Sequence, residues 1–354
     1  MELSFWEQKL PFEYPFTISN GRTKTHQHSL MVRFSLGNWE GFGEAPAIVY
    51  YNVSVEAMME QLEKHRKVIE KFALIDPERF WHFLHHLFPN DPFLVCALDM
   101  AGWDLWGQMK KQPLHKLWGT QWPTTPNENN PQPPICDYTL GIDPIEKMVQ
   151  KMEAHPWPIY KVKVGTEYDI EMITELRKHT DNPIRVDANA GWTTEEALLK
   201  IPALAKLGVE LVEQPLAKDN WEGMAQLKQQ ALLPLFADES CVMEKDVATC
   251  ANYFNGINIK LTKCSGLTPA LRMIKEARTL GLKVMMGSMN ESVIGSAAIA
   301  QFLPQLDYVD MDGPLLMTEL NGAGLNYSFE NENGCIEPLM NYGLGVKYKP
   351  PFVK

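Results

Sequence analysis

The chain has 354 residues, with 33 Lys+Arg against 44 Asp+Glu, a formal charge of −11, and 45% hydrophobic residues. That length leaves room for two domains, and the apolar share supplies a core too large for a disordered chain. The acid excess has no general attraction for phosphate backbones or anionic lipid, and no apolar run is long enough to span a bilayer, so nucleic acid and membrane are excluded as first partners.

The N-terminus, Met1 to Glu7, lacks the basic start and apolar stretch of a signal peptide. Cysteines 96, 136, 241, 250, 264 and 335 form no C-x-x-C pair and read as buried free thiols of a cytoplasmic protein. The first 50 residues read as strands, with Ser29–Phe34 and Gly41–Ala45 flanking a turn at Gly37-Asn38. Helical periodicity follows over Ser54–Phe72, Pro77–Phe88 and Pro92–Lys110. This is a small α+β unit. The polar, proline-rich stretch Thr120–Pro134 reads as its boundary.

Beyond it, short β-branched or apolar runs recur, most followed by an amphipathic helix. Strands are expected near Ile135–Leu140, Tyr160–Val164, Ile184–Asp187, Val209–Glu213, Leu235–Asp238, Ile257–Lys260, Lys283–Met286 and Tyr308–Asp312. Thr193 with Glu196 forms a capping box. Thr268-Pro269 reads as an N-cap followed by the first helical position, and Gly281 as the end of that helix. No long amphipathic helix follows the eighth strand. The pattern predicts a (β/α)7β TIM-like barrel over 126–324. An N-terminal α+β capping domain over 1–125 is completed by the tail 325–354.

Active sites of such barrels lie at the C-terminal strand ends. Thr139, Lys163, Asp187, Glu213, Asp238, Lys260, Asp310 and Asp312 fall there. From Lys163 to Lys260 the steps are 24, 26, 25 and 22 residues, about one strand–loop–helix unit each. Asp187, Glu213 and Asp238 would repel one another unless a cation held them. Oxygen-only ligands suit a hard cation, so one Mg²⁺ is expected. Lys161 and Lys163 alternate with Val162 and Val164 and so face the barrel interior together. Strands two and six stand four apart in a ring of eight, which sets Lys163 and Lys260 across the mouth from each other, with the acids between.

A metal can neutralise the charge that appears when a carboxylate substrate loses its α-proton. One lysine removes that proton, and a lysine opposite returns one with inverted configuration. Each lysine then needs a lowered pKa, and Lys161 stands where it could lower that of Lys163. Lys263 reads either as a neighbour of Lys260 or as a plain loop lysine. Asp310 and Asp312, at i and i+2, would point the same way and suit an ammonium.

At these residues the sequence resembles the enolase superfamily, in its muconate-lactonizing branch. The matching motifs are Lys161-Val162-Lys163, Asp187-Ala188-Asn189, Glu213-Gln214-Pro215, Asp238-Glu239-Ser240 and Asn258-Ile259-Lys260. Gly41–Ala45 and Ala97–Ala101 look like that branch's capping domain. Asp310-Met311-Asp312 is similar to the Asp-x-Asp of dipeptide epimerases. The resemblance implies Asp187, Glu213 and Asp238 on Mg²⁺, Lys163 and Lys260 as acid/base residues, Lys161 in support, and Asp310 and Asp312 on the dipeptide's ammonium. It implies inversion of the C-terminal residue of an L-Ala-X dipeptide, with X glutamate, alanine or another small or apolar residue. Members acting on Ala-Glu hold the glutamate with a cap arginine. Arg22 falls near that place in a loop one residue longer, and Lys24 is the alternative contact. A homo-oligomer is left open. The nearest alternative is an o-succinylbenzoate synthase or N-succinylamino acid racemase, whose acylated substrates offer no ammonium for Asp310 and Asp312.

Overall fold

The computed structural model describes residues 1–17, 23–122, 132–318, 322–323, 325–327, 336–338, 341–348 and 350. It opens with an antiparallel sheet of β1 (Glu2–Thr17), β2 (Thr23–Leu36) and β3 (Trp39–Pro46) in that order. Leu36 pairs with Trp39 across the Gly37-Asn38 turn, where Gly37 takes φ +60. Leu30, Val32 and Phe34 alternate along β2 and pack with α1 (Val55–Glu70), α2 (Pro77–Leu87) and α3 (Pro92–Lys110). Met31, on the other face, joins the apolar layer shared with the barrel. Helix α3 lies almost directly on β3. A Cβ on Gly43 would stand 1.9 Å from the Ala97 carbonyl oxygen, and one on Gly41 2.3 Å from that of Ala101. Only glycine permits that approach.

After α4 (Leu114–Leu117) come eight parallel strands: β4 (Tyr138–Leu140), β5 (Tyr160–Lys163), β6 (Ile184–Asp187), β7 (Val209–Glu213), β8 (Leu235–Ala237), β9 (Gly256–Ile259), β10 (Lys283–Gly287) and β11 (Tyr308–Asp310). All but the last lead into a helix: α5 (Ile145–Ala154), α6 (Asp169–Arg177), α7 (Thr194–Lys206), α8 (Trp221–Gln230), α9 (Val247–Tyr253), α10 (Leu267–Thr279) and α11 (Val293–Ala300). The strands neighbour one another in chain order. The ring closes where Cys136 bridges Val309 and the Asp137 N–H donates to the Val309 carbonyl at 3.5 Å. The fold is the expected (β/α)7β barrel with an α+β cap. Leu211, Phe236 and Met285, with Tyr308 against them, form an apolar plug separate from the outer layer. Arg185 pairs with Asp137 at 2.9 Å and Glu210 at 2.8 Å, two residues before Asp187 on the same strand.

Two strands at the mouth, β6 and β7, end at Asp187 and Glu213 as the sequence implies, while others end early. Asp238 and Lys260 stand one residue past β8 and β9, and Asp312 two past β11. The capping box at Thr193 and Glu196 is present, and Gly281 takes φ +72 after α10. The expected cap at Thr268-Pro269 is corrected: α10 begins at Leu267 with Gly266 as its N-cap. Thr268 spends its hydroxyl on Asp99 instead.

Cap and barrel share acids. The carboxylate of Glu44, on β3, accepts the Ser292 N–H at 3.0 Å and the Gly295 N–H at 3.2 Å, so it covers the start of α11. Asp104, on α3, accepts the Phe42 N–H at 2.9 Å and the Leu344 N–H at 2.8 Å. Tyr348 stacks on Trp6 at 6.1 Å and donates to Gln8 at 3.0 Å. The expected division near residue 125, and Arg22, lie outside the described residues, as does much of the tail 325–354. Among the described residues no helix is long and apolar enough to cross a membrane.

Candidate active site

Alternation along β5 turns Val162 and Val164 outward and Lys161 and Lys163 inward, as the apolar layer and the ion pairs require. Lys161 Nζ stands 2.7 Å from Asp310 Oδ2, 2.8 Å from Glu213 Oε2 and 3.3 Å from Asp187 Oδ2. Burial pulls its pKa down, but these acids outweigh burial and hold it well above the ordinary lysine value. Lys163 Nζ donates to Asp187 Oδ2 at 2.6 Å. Across the mouth, Lys260 Nζ donates to Asp238 Oδ2 at 2.8 Å.

Asp187, Glu213 and Asp238 are fully buried and offer carboxylate oxygens within 4.8 Å of one another. Burial raises Asp187, but Lys163 and Lys161 win and set it at about 2. Glu213 is raised, first by burial and then by Asp187 beside it. Three buried carboxylates on three adjacent strands, each with oxygen donors only, fit a hard divalent cation. The lowered lysine pKa expected from sequence is not what the chain alone gives Lys260. Burial pulls it down, yet Asp238 and Glu213 pull it further up. Repulsion by a neighbouring ammonium is outweighed by these carboxylates.

Lys163 and Lys260 share one cavity of about 380 Å³, lined also by Thr139, Asp238, Asp310 and, from the cap, Lys24. Lys24 Nζ donates to Gln27 Oε1 at 3.3 Å. Burial raises the pKa of Asp312 and Asp310 stands close enough to raise it further, but of the two acids only Asp310 lines the cavity. β11 ends at Asp310, and the Asp312 Oδ2 accepts the Thr139 N–H at 2.6 Å. Asp312 does not line the cavity. Its Oδ1 is buried with no hydrogen-bond partner among the described residues.

Residues 144–351 match the family model described as Enolase C-terminal domain-like. The chain belongs to the enolase superfamily. It is 47% identical over 339 residues to the L-Ala-D/L-amino acid epimerase of Flavobacterium johnsoniae, covering 94% of this chain and 98% of that one. It is 36% identical over 352 residues to the L-Ala-D/L-Glu epimerase of Bacteroides thetaiotaomicron, covering 98% and 88%. The solved dipeptide epimerase of Enterococcus faecalis, complexed with Mg and L-Leu-L-Tyr, matches with TM-score 0.88 at 28% identity, covering 98% and 99%. This member of the superfamily is an isomerase, and its reaction is an epimerisation.

Several residues at the site of this epimerase escaped the sequence reading. Asn258 Nδ2 donates to Glu213 Oε1 at 2.7 Å and orients that acid. Gln214 Oε1 accepts the N–H groups of Asp238 at 3.0 Å and Ser240 at 3.1 Å, tying two strand ends together. Of the two readings left open for Lys263, the structure gives the neighbour of Lys260: both lysines reach the Asp238 carboxylate. Lys263 is buried, donates to Asp238 Oδ1 at 2.5 Å and to the Asp238 carbonyl, and clamps that acid from behind. Phe16, Ile48, Tyr50, Tyr51 and Met289 supply the apolar wall. A signal existed for Asn258 and Gln214, which sit inside the motifs Asn258-Ile259-Lys260 and Glu213-Gln214-Pro215. The wall residues are scattered along the chain and carry no such mark.

Proposed function

We propose that this epimerase inverts the α-carbon of the C-terminal residue of an L-Ala-X dipeptide by proton transfer between Lys163 and Lys260. The observation that carries the reading is their placement: one cavity, two strands four apart in the ring, and three buried acids between. Asp187, Glu213 and Asp238 would hold one Mg²⁺, as the metal in the Enterococcus faecalis relative supports. A bound Mg²⁺ supplies neutralisation of the negative charge that grows on the substrate carboxylate as the α-proton leaves. Lys163 and Lys260 take and return that proton on opposite faces, each needing its neutral form at one stage. Lys161 balances the acids and remains an ammonium throughout. Asp310, with the free Oδ1 of Asp312 behind it, receives the dipeptide's ammonium, and Thr139 borders that end. The apolar wall suits an uncharged X, while Lys24, with Arg22 beside it in sequence, takes the acid end when X is glutamate. Five buried thiols without a disulfide among the described residues suit the cytoplasm, where we place the enzyme.

The test is deuterium uptake at the α-carbon across a panel of L-Ala-X dipeptides and N-succinylamino acids with Mg²⁺ in deuterium oxide. Uptake is expected with dipeptides only, and Lys163→Ala and Lys260→Ala should each abolish inversion. Uptake confined to N-succinylamino acids would overturn the dipeptide reading. Full inversion by both variants would overturn the lysine assignment.

A further inference from the structure

Helix α10 starts without a cap of its own, because Gly266 at its N-cap has no side chain to offer. The acceptor comes from the other domain. Asp99, on α3, accepts the Thr268 N–H on Oδ2 at 3.0 Å and the Thr268 hydroxyl on Oδ1 at 2.8 Å. The turn it holds begins at Lys260, whose carbonyl accepts the N–H groups of Lys263 at 3.0 Å and Cys264 at 3.1 Å. Ser265 then takes φ +71 and Gly266 φ +129. An L side chain resists the first of these conformations, so the turn needs outside support. A Cβ on Gly266 would stand 2.4 Å from Asp99 Oδ2, so glycine makes room for the carboxylate. Trp81, on α2, donates to the Ser265 carbonyl at 2.9 Å, and Trp103, on α3, to the Thr268 hydroxyl at 2.9 Å.

The turn after Lys163 is held differently. Asp169, at the start of α6, accepts the N–H groups of Gly165 at 3.0 Å and Thr166 at 2.8 Å on Oδ1. That support comes from within the barrel. Asp99 is buried and does not line the cavity, so it acts through the turn and not on substrate.

We propose that Asp99 is a positioning residue for Lys260 alone: the cap fixes one of the two lysines, and the barrel fixes the other. The inference rests on the two-lysine reading above. Its signature is stereochemical. Deuterium uptake is followed separately for the L and D configurations of the C-terminal residue, using the whole protein with Mg²⁺. Lys163→Ala and Lys260→Ala first show which epimer each lysine serves. Asp99→Asn keeps the side chain's shape and should slow uptake into the Lys260 epimer roughly 10–100-fold while leaving the other within about threefold. Deuterium should then enter one epimer without inversion. Thr268→Val removes the hydroxyl at the other end of the contact and should shift the ratio the same way, should Asp99→Asn fold poorly. Equal slowing of both epimers by these variants would overturn the proposal and leave the two-lysine reading intact. A wild-type protein that exchanges neither epimer would remove both.

Discussion

Lys161 touches three acids and no solvent, and its worth lies in what it prevents. Without it, Asp187, Glu213 and Asp310 would face one another, and the ion pair of Lys163 with Asp187 would be the one direct pair left to the three among the described residues. Breaking a buried charge cluster by removing one partner costs about 3–5 kcal/mol, because the charges left behind stay desolvated. Lys161→Met should lose about that much stability in urea titrations run with a chelator present. A loss below about 1 kcal/mol would mean that the acids take up protons and relax. Charge spacing of this kind is legible in the sequence, since inward-facing positions on a strand recur every second residue and strand ends recur once per unit. What could not be read was the partner of each group. Asn258 and Gln214 hold acids on other strands, and nothing within their own segments says so. The hydrogen bond from the Thr139 N–H to Asp312 is of the same kind, since Thr139 stands on another strand.

At the scale of elements, local rules held where neighbours left them alone. The capping box of α7 is satisfied inside its own turn, so sequence alone identified it. The start of α10 was misread because Thr268 obeys a residue on another domain. The glycines of β3 belong here too. Gly43→Ala would drive a methyl group against the Ala97 carbonyl, and neither α3 nor β3 can retreat while both bury their other faces. Overpacking of this sort costs about 1–3 kcal/mol, occasionally more. A thermal midpoint within about 2 °C of wild type would show instead that the two elements can slide apart.

For the whole molecule, buried acids join sheet, helix and tail. Burial pushes Asp104 up to about 7 from 3.8, although the N–H groups of Leu344 and Phe42 oppose it. The folded protein thus keeps a proton that the unfolded chain releases. That contribution is complete below pH 3.8 and is lost as pH rises through about 7. Asp104→Asn has no such proton, so the stability margin of wild type over this variant should shrink between about pH 4 and pH 7 and then level off. A margin independent of pH in denaturant titrations would refute it.

The bond between Asp104 and Leu344 also sets an order of events on the ribosome. Its acceptor is made 240 residues before its donor. At about 5–20 residues per second, the cap spends roughly 10–50 s with that carboxylate short of a partner while the barrel emerges. The cap is therefore synthesised before the barrel and finished after it. A nascent chain stalled before Leu344 carries a barrel whose strands are all present beneath a cap that still lacks its final strap.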